Sequence, residues 1–133
     1  MIRMAKGKEA YEARVAELNL FGKDLARRAK SKCELCERGG ETLSIVEVPP
    51  APKDPEFEKC VMLCEGCRKA VEEPKQFAPG EQWRFLAQSV WSELPAVQVL
   101  AVRLLRRMEG SQAWAREALE TVFLDEEVKR WVT

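Results

Sequence analysis

The sequence predicts an α+β fold in which an N-terminal helix precedes a small cysteine-bearing β-hairpin, and a bundle of three or four short helices follows. Three observations indicate this fold: helical periodicity before residue 30, two CxxC pairs flanking a β-branched segment, and apolar residues at helical spacing after residue 83. We expect three parts: an N-terminal helix over 1–30, a four-cysteine module over 31–74 and a helical C-terminal region over 75–133.

The first predicted element is a helix over residues 6–30. Its apolar side chains recur at three- and four-residue steps, which would line them on one face: Tyr11, Val15, Leu18, Phe21 and Leu25. Gly22 interrupts this pattern, so we expect a bend or a break there.

The middle of the chain has the pattern of a β-hairpin. The β-branched run "TLSIVEV" at 42–48 predicts a strand, and four prolines within 49–55 predict a loop that extends over 49–59. "CVML" then predicts the returning strand. The following "CEGCRKAVEE" predicts a cysteine turn that continues into a short helix ending near Pro74, before a linker over 74–82.

The last third of the chain predicts packed helices. Pro95 suits the first turn of a helix whose inner face comprises Val97, Leu100, Ala101, Leu104 and Met108. Gly110 would end this helix, and Ser111 and Asp125 are candidate caps for the next two. All four tryptophans lie in this region, and we expect them in its core: Trp83, Trp91, Trp114 and Trp131.

Four of the five cysteines form two CxxC pairs 27 residues apart. Each pair turns two sulfurs toward one point, so two pairs can supply a tetrahedral set of thiolates for zinc. The predicted ligands are Cys33, Cys36, Cys64 and Cys67, in a module of the zinc-ribbon or treble-clef type, with Gly39, Gly40 and Gly66 giving the turns room. Four protein ligands leave no open position, so the predicted Zn²⁺, one per chain, is structural. The alternatives are buried thiols or redox-active cysteines.

Cys60 is the fifth cysteine and is not expected to bind the metal. On a strand that rises about 3.3 Å per residue, Cys60 and Cys64 would be about 13 Å apart. Two sulfurs on one zinc are separated by no more than about 4.6 Å, twice the Zn–S distance. We therefore expect Cys60 to be a small buried residue with a protonated thiol.

Three segments resemble the PhnA-type proteins, a bacterial family with an N-terminal zinc ribbon that is named for an alkylphosphonate-utilisation operon. They are "SKCELCERGGETLSIVEVPP", "KCVMLCEGCRKAVEEP" and "WSELPAVQVLAVRLLRRM". The resemblance implies zinc ligands at the same four cysteines and no established enzyme activity. Longer members of the family continue into a β-rich C-terminal domain, which we do not expect in this chain.

Composition narrows the range of functions. The chain has no histidine, which excludes catalysis by an imidazole, and it has no phosphate-binding glycine motif. The N-terminus lacks the apolar run of a secretory signal, and clustered cysteines are typical of metal sites in the cytoplasm. We therefore predict a non-catalytic zinc protein of the bacterial cytoplasm, with a structural, regulatory or interaction role, a protein partner and no membrane association.

Two other functions remain open at this point. Residues 1–32 carry 9 basic and 4 acidic side chains, and a cluster near the end of this segment could contact nucleic acid: Arg27, Arg28, Lys30 and Lys32. Residues 33–82 carry 6 basic and 11 acidic side chains, however, and this acidic module disfavours phosphate binding. The second alternative is a thiol-based redox sensor that loses its zinc on oxidation.

Overall fold

The chain begins with two consecutive helices rather than one. The computed structural model describes residues 2–133, with side chains described from residue 7 onward. Helix α1 spans Ile2–Asn19 and helix α2 spans Gly22–Ala29. The break at residues 20 and 21 agrees with the interruption predicted at Gly22, which is the first residue of α2.

Helix α1 is attached to the rest of the chain through hydrogen bonds of one arginine rather than through a buried apolar face. The Arg14 guanidinium donates two hydrogen bonds of 2.7 Å to the Glu47 carboxylate and others to the carbonyls of Pro52 and Lys53 at 2.7 and 2.9 Å. Tyr11, the first residue of the predicted apolar face, is 71% exposed. Leu25 in α2 is fully buried, because α2 packs directly on the hairpin.

The hairpin follows the predicted pattern closely. Strand β1 spans Leu43–Glu47 and strand β2 spans Cys60–Cys64, and the two are antiparallel with Leu43 opposite Cys64 and Glu47 opposite Cys60. Helix α3, Glu65–Glu72, follows β2 without a loop. The register therefore brings the end of β2 and the start of α3 close to the beginning of β1.

The remainder of the chain is helical, as the α+β prediction requires. The linker predicted over 74–82 contains a short 3₁₀ turn, Pro74–Gln76, and the start of another, Glu81–Trp83. The helices that follow are α4 (Leu86–Ser89), α5 (Pro95–Met108), α6 (Ala113–Thr121) and α7 (Glu126–Val132).

Helix α5 is the centre of the molecule. Nine of its 14 residues are buried, including every residue of the predicted inner face. It packs against α4, α6 and α7 and also contacts β2 and α3. One continuous cluster of buried residues consequently runs from Cys33 to Val132. The boundaries between the three parts at residues 30 and 74 stay a prediction.

Side chains of the C-terminal region donate hydrogen bonds to backbone carbonyls around the hairpin. Each donor is a side chain after residue 80, and each acceptor is a main-chain oxygen before residue 75. The three bonds are Ser89 Oγ to Leu35 O at 2.6 Å, Arg107 Nη1 to Ala70 O at 2.8 Å and Trp131 Nε1 to Pro49 O at 3.0 Å.

One of the two predicted helix caps is present. The Asp125 carboxylate accepts a hydrogen bond from the Val128 amide at 3.0 Å and so caps α7. The prediction for Ser111 was wrong. Its amide still bonds to the Met108 carbonyl at 3.0 Å, within the turn that ends α5, and Gln112 occupies the position before α6.

The tryptophans differ in burial. Trp131 is 7% exposed, and Trp83 and Trp114 are partly buried against the core. Trp91 is 54% exposed, contrary to the prediction, because α4 ends at Ser89 and Trp91 lies beyond it. Among the described residues, no helix combines the length and the apolar character that crossing a membrane would require.

Candidate metal centre

The structure brings together the four cysteines of the two CxxC pairs. The Sγ atoms of Cys33, Cys36, Cys64 and Cys67 all lie within 4.8 Å of one another. The Cys36 and Cys64 sulfurs are 3.8 Å apart. A zinc–sulfur distance of about 2.3 Å gives a tetrahedron with edges of about 3.8 Å, so the cluster has the size that a four-thiolate metal site needs. These four cysteines could hold a metal ion.

The first pair lies on a tight turn between α2 and β1. The Cys33 amide donates to the Arg38 carbonyl at 3.0 Å, and the Glu37 amide donates to the Cys33 carbonyl at 2.8 Å. An isolated antiparallel bridge between Lys32 and Gly39 closes the base of the turn. This folded-back segment directs both sulfurs toward the end of β2.

The second pair lies where β2 meets α3. Cys64 is the last residue of the strand and Cys67 lies in the first turn of the helix. The amide groups at the start of a helix carry partial positive charge, which favours sulfur as a thiolate. The strand and helix therefore place the two sulfurs side by side without a separate loop.

The glycines contribute less to these turns than predicted. Gly40 has a left-handed backbone, with φ of 74°, but Gly39 does not, and Gly66 lies within α3. The left-handed residue next to the cysteines is Glu37, with φ of 62°. The CxxC spacing alone did not indicate this conformation.

Glu34 connects the first cysteine turn to both β2 and α2. Its amide donates to the Met62 carbonyl at 2.8 Å, and its carboxylate accepts from the Met62 amide at 2.9 Å. Arg28 donates two bonds of 2.8 Å to the same carboxylate and a third, also of 2.8 Å, to the Cys60 carbonyl. The Glu34 side chain is only 3% exposed. Sequence reasoning missed this role, because a charged residue inside a CxxC pair is usually solvated.

One of the four basic residues predicted as a nucleic-acid contact is bonded within the protein. Arg28 is committed to Glu34 and to the Cys60 carbonyl, and its guanidinium lies 5.0 Å from the centre of the Phe57 ring. The other three basic residues are exposed: Arg27, Lys30 and Lys32. Arg28 is therefore part of the scaffold around the site.

Hydrogen bonding and burial within the cluster give its thiols different pKa values. The hydrogen bond from the Cys67 thiol lowers the pKa of Cys33 to about 5, and the same bond, together with burial, raises the pKa of Cys67. Burial raises the pKa of Cys36 to about 11. Further thiolates would repel one another at these distances, so a cation among the four sulfurs suits the donor set.

Cys60 lies outside this cluster, as expected. It is fully buried, and its thiol donates to the Glu56 carbonyl at 3.3 Å. Burial raises the pKa of Cys60 to about 11, which keeps its thiol protonated at neutral pH.

No family model, curated protein or solved structure matches this chain. The resemblance to the PhnA-type proteins therefore stays a prediction.

Proposed function

We propose that this chain is a non-catalytic zinc protein in which Cys33, Cys36, Cys64 and Cys67 hold one structural Zn²⁺. The observation that carries the proposal is the convergence of these four sulfurs within 4.8 Å of one another. On this proposal, the two cysteine turns, the hairpin and α3 form a zinc module of the ribbon or treble-clef type. The chain would then be a PhnA-type protein that works in the bacterial cytoplasm.

The donor set supports zinc as the metal. Four thiolates are soft ligands, and a tetrahedral site made of four sulfurs suits Zn²⁺ or an iron centre. Hard cations such as Mg²⁺ and Ca²⁺ require oxygen ligands, and the cluster offers none. Structural zinc sites with four cysteines leave no position for water, and the metal therefore supplies folding energy rather than chemistry.

The small size of the sheet explains why a structural metal is useful here. Two strands of five residues each are marginally stable by themselves. A bound zinc contributes on the order of 10–16 kcal/mol to folding in small zinc modules. The metal would therefore fix the position of both cysteine turns relative to the hairpin.

A non-catalytic role agrees with the available chemistry. The chain has no histidine, and a metal site completed by four cysteines has no coordination position for a substrate. We expect no turnover of phosphonoacetate, phosphate esters or DNA above background. Activity that survives repurification and disappears in a point variant would contradict this part of the proposal.

We further propose that the protein acts through contacts with a protein partner. Four large apolar side chains among the described residues are more than half exposed: Tyr11, Leu20, Trp91 and Phe123. Aromatic side chains are enriched in protein interfaces, which supports an interaction role.

Elemental analysis of the purified protein tests the metal assignment. We expect one zinc per chain in the wild-type protein and none in the Cys33→Ser/Cys64→Ser double variant. The matched control is Cys60→Ala, which should keep one zinc and lose about 1 kcal/mol of unfolding free energy through the removed buried sulfur. Iron in place of zinc, full zinc occupancy in the double variant, or loss of metal in Cys60→Ala would overturn the assignment.

A further inference from the structure

The four clustered sulfurs differ in accessibility. Cys33, Cys64 and Cys67 belong to residues that are 1%, 3% and 3% exposed, whereas Cys36 is only partly buried. A reagent in solution therefore reaches the cluster first at Cys36.

A cavity leads to this cysteine. It has a volume of about 480 Å³ and lies between the first cysteine turn and the segment that connects α4 to α5. Besides Cys36, its lining includes Gln88, Ser89, Trp91 and Leu94. The space accommodates a small molecule, and Gln88 and Trp91 are both exposed at its surface.

A second cavity touches Cys33 but does not offer the same access. It is lined by the end of α2, by the first cysteine turn and by Ser92 and Leu94, and its volume is about 490 Å³. Cys33 is 1% exposed, so the thiol is covered by its neighbours in that cavity. Access favours Cys36.

We propose that Cys36 is an oxidant-modification site, at which a small peroxide entering the cavity converts Cys36 and Cys64 into a disulfide. This inference rests on the proposed zinc function. The Cys36 and Cys64 sulfurs are 3.8 Å apart. They need to approach by about 1.8 Å to reach the length of an S–S bond. The small distance makes Cys64 a suitable partner for an oxidised Cys36.

The reaction balances with peroxide as the oxidant. Cys36 would be a thiolate in the zinc-loaded protein, because a metal ligand must be deprotonated. Its sulfur attacks one peroxide oxygen, so that an S–O bond forms, the O–O bond breaks, and hydroxide leaves and takes a proton to become water. The Cys64 thiolate then attacks the Cys36 sulfur, the S–S bond forms as the S–O bond breaks, and a second hydroxide leaves and takes a proton to become water. Two electrons pass from the two thiolates to one peroxide.

The disulfide would remove two of the four anionic ligands, so zinc is released. Because Cys36 belongs to the first pair and Cys64 to the second, the disulfide keeps the two cysteine turns covalently joined and leaves Cys33 and Cys67 without a metal. The site therefore converts exposure to peroxide into loss of zinc.

The experiment treats the reduced, zinc-loaded full-length protein with limiting hydrogen peroxide in the presence of a 1,3-cyclohexanedione probe. The probe traps sulfenic acid, and fragmentation mass spectrometry assigns it to a cysteine. We expect the first adduct at Cys36. Without the probe, we expect a Cys36–Cys64 disulfide and one released zinc for each peroxide consumed. First labelling at another cysteine, or zinc release without this disulfide, would overturn the inference.

A cavity-filling variant tests the access route. Gln88→Trp places a large side chain in the cavity and should slow zinc release by peroxide severalfold, with the zinc content of the reduced protein unchanged. The matched control is Gln76→Trp, at an exposed position that does not line either cavity, and it should react like the wild type. Equal rates in the two variants would contradict access through this cavity.

The two proposals fail in different ways. Absence of zinc in the reduced protein would refute the zinc function before any peroxide is added. Presence of zinc with first labelling elsewhere than Cys36 would refute only the modification site.

Discussion

Glu37 has an unusual backbone conformation for a residue with a side chain. Its φ of 62° lies in the left-handed region, which costs an L-residue about 1–2 kcal/mol. Its side chain is exposed. Gly40, three residues further on, has a φ of 74°, and glycine adopts this conformation without strain because it has no Cβ. Between Cys33 and Gly40 the chain therefore has one left-handed residue suited to its conformation, Gly40, and one that is not, Glu37.

Substitutions at Glu37 and Gly40 should change the unfolding free energy in opposite directions. Glu37→Gly relieves the left-handed strain, partly offset by the larger entropy of glycine in the unfolded chain, and should raise the unfolding free energy by about 0.5–1 kcal/mol. Gly40→Ala should lower it by about 1 kcal/mol through backbone strain, since an added Cβ meets no atom within 4 Å. Denaturant unfolding at saturating zinc measures both. A stability loss in Glu37→Gly would contradict this account.

Single residues were predictable where chemistry fixes the spacing. The two CxxC pairs indicated which four cysteines converge, because a shared site constrains all of them. Exposure of Tyr11 and Trp91 was not predictable, since periodicity gives a helix face but not the surface it meets. The buried role of Glu34 depends on Arg28 and Met62, which approach it only in the folded chain.

Helix α2 is attached to the cysteine turn by a partly buried charged pair. Arg28 and Glu34 are 20% and 3% exposed, and the carboxylate also accepts the Met62 amide at 2.9 Å. Charged pairs with such burial depend on complete hydrogen bonding, because an unpaired partner keeps its desolvation cost. The position of α2 is therefore coupled to the shape of the first cysteine turn.

Removing the Glu34 carboxylate should weaken this attachment. Glu34→Ala leaves the Met62 amide without its acceptor and the Arg28 guanidinium with only the Cys60 carbonyl, and we expect a loss of about 1.5–3 kcal/mol in unfolding free energy. The matched control is Glu41→Ala, which removes a more exposed carboxylate bonded to Arg38 at 3.4 Å and should change stability much less. Hydrogen exchange should increase in α2 in the first variant only. Equal effects of both substitutions would argue against a structural role for Glu34.

Element type was more predictable than element ends. The β-branched run and the cysteine turns indicated both strands, and Pro95 marked the first residue of α5. The division into α1 and α2 was signalled by Gly22. Ser111 was a plausible cap by type, but the turn after α5 extends to Gln112 and moves the start of α6. Local hydrogen bonds decide such boundaries, and the residue pattern does not contain them.

At the scale of the whole molecule, the residues with described side chains form one continuous buried cluster, which is stabilised differently in two regions. Around α5, helices pack on one another through apolar side chains, whereas the hairpin is small and depends on its cysteines. The indole of Trp131 joins the two regions, bonding to the Pro49 carbonyl at 3.0 Å and lying 3.8 Å from the Lys59 ammonium group.

Removal of the metal should affect these regions unequally. After a strong zinc chelator, we expect the hairpin to lose its order and α5–α7 to keep most of their helicity, because α5 packs mainly on α4, α6 and α7 and less on β2 and α3. Circular dichroism would report the retained helix. Tryptophan fluorescence would shift as the Trp131 indole loses its hydrogen bond to the Pro49 carbonyl. Complete loss of helicity would show that the chain unfolds as one cooperative unit.

The hydrogen bonds that join the C-terminal helices to the hairpin region make the two sides unequal in mutational tolerance. The donors are the side chains of Ser89, Arg107 and Trp131, and the acceptors are main-chain carbonyls. A substitution on the donor side deletes the bond, whereas one on the acceptor side leaves its carbonyl in place. In a sequence library, these bonds would constrain amino-acid identity on one face of the contact and leave the opposite face free to vary within its packing limits.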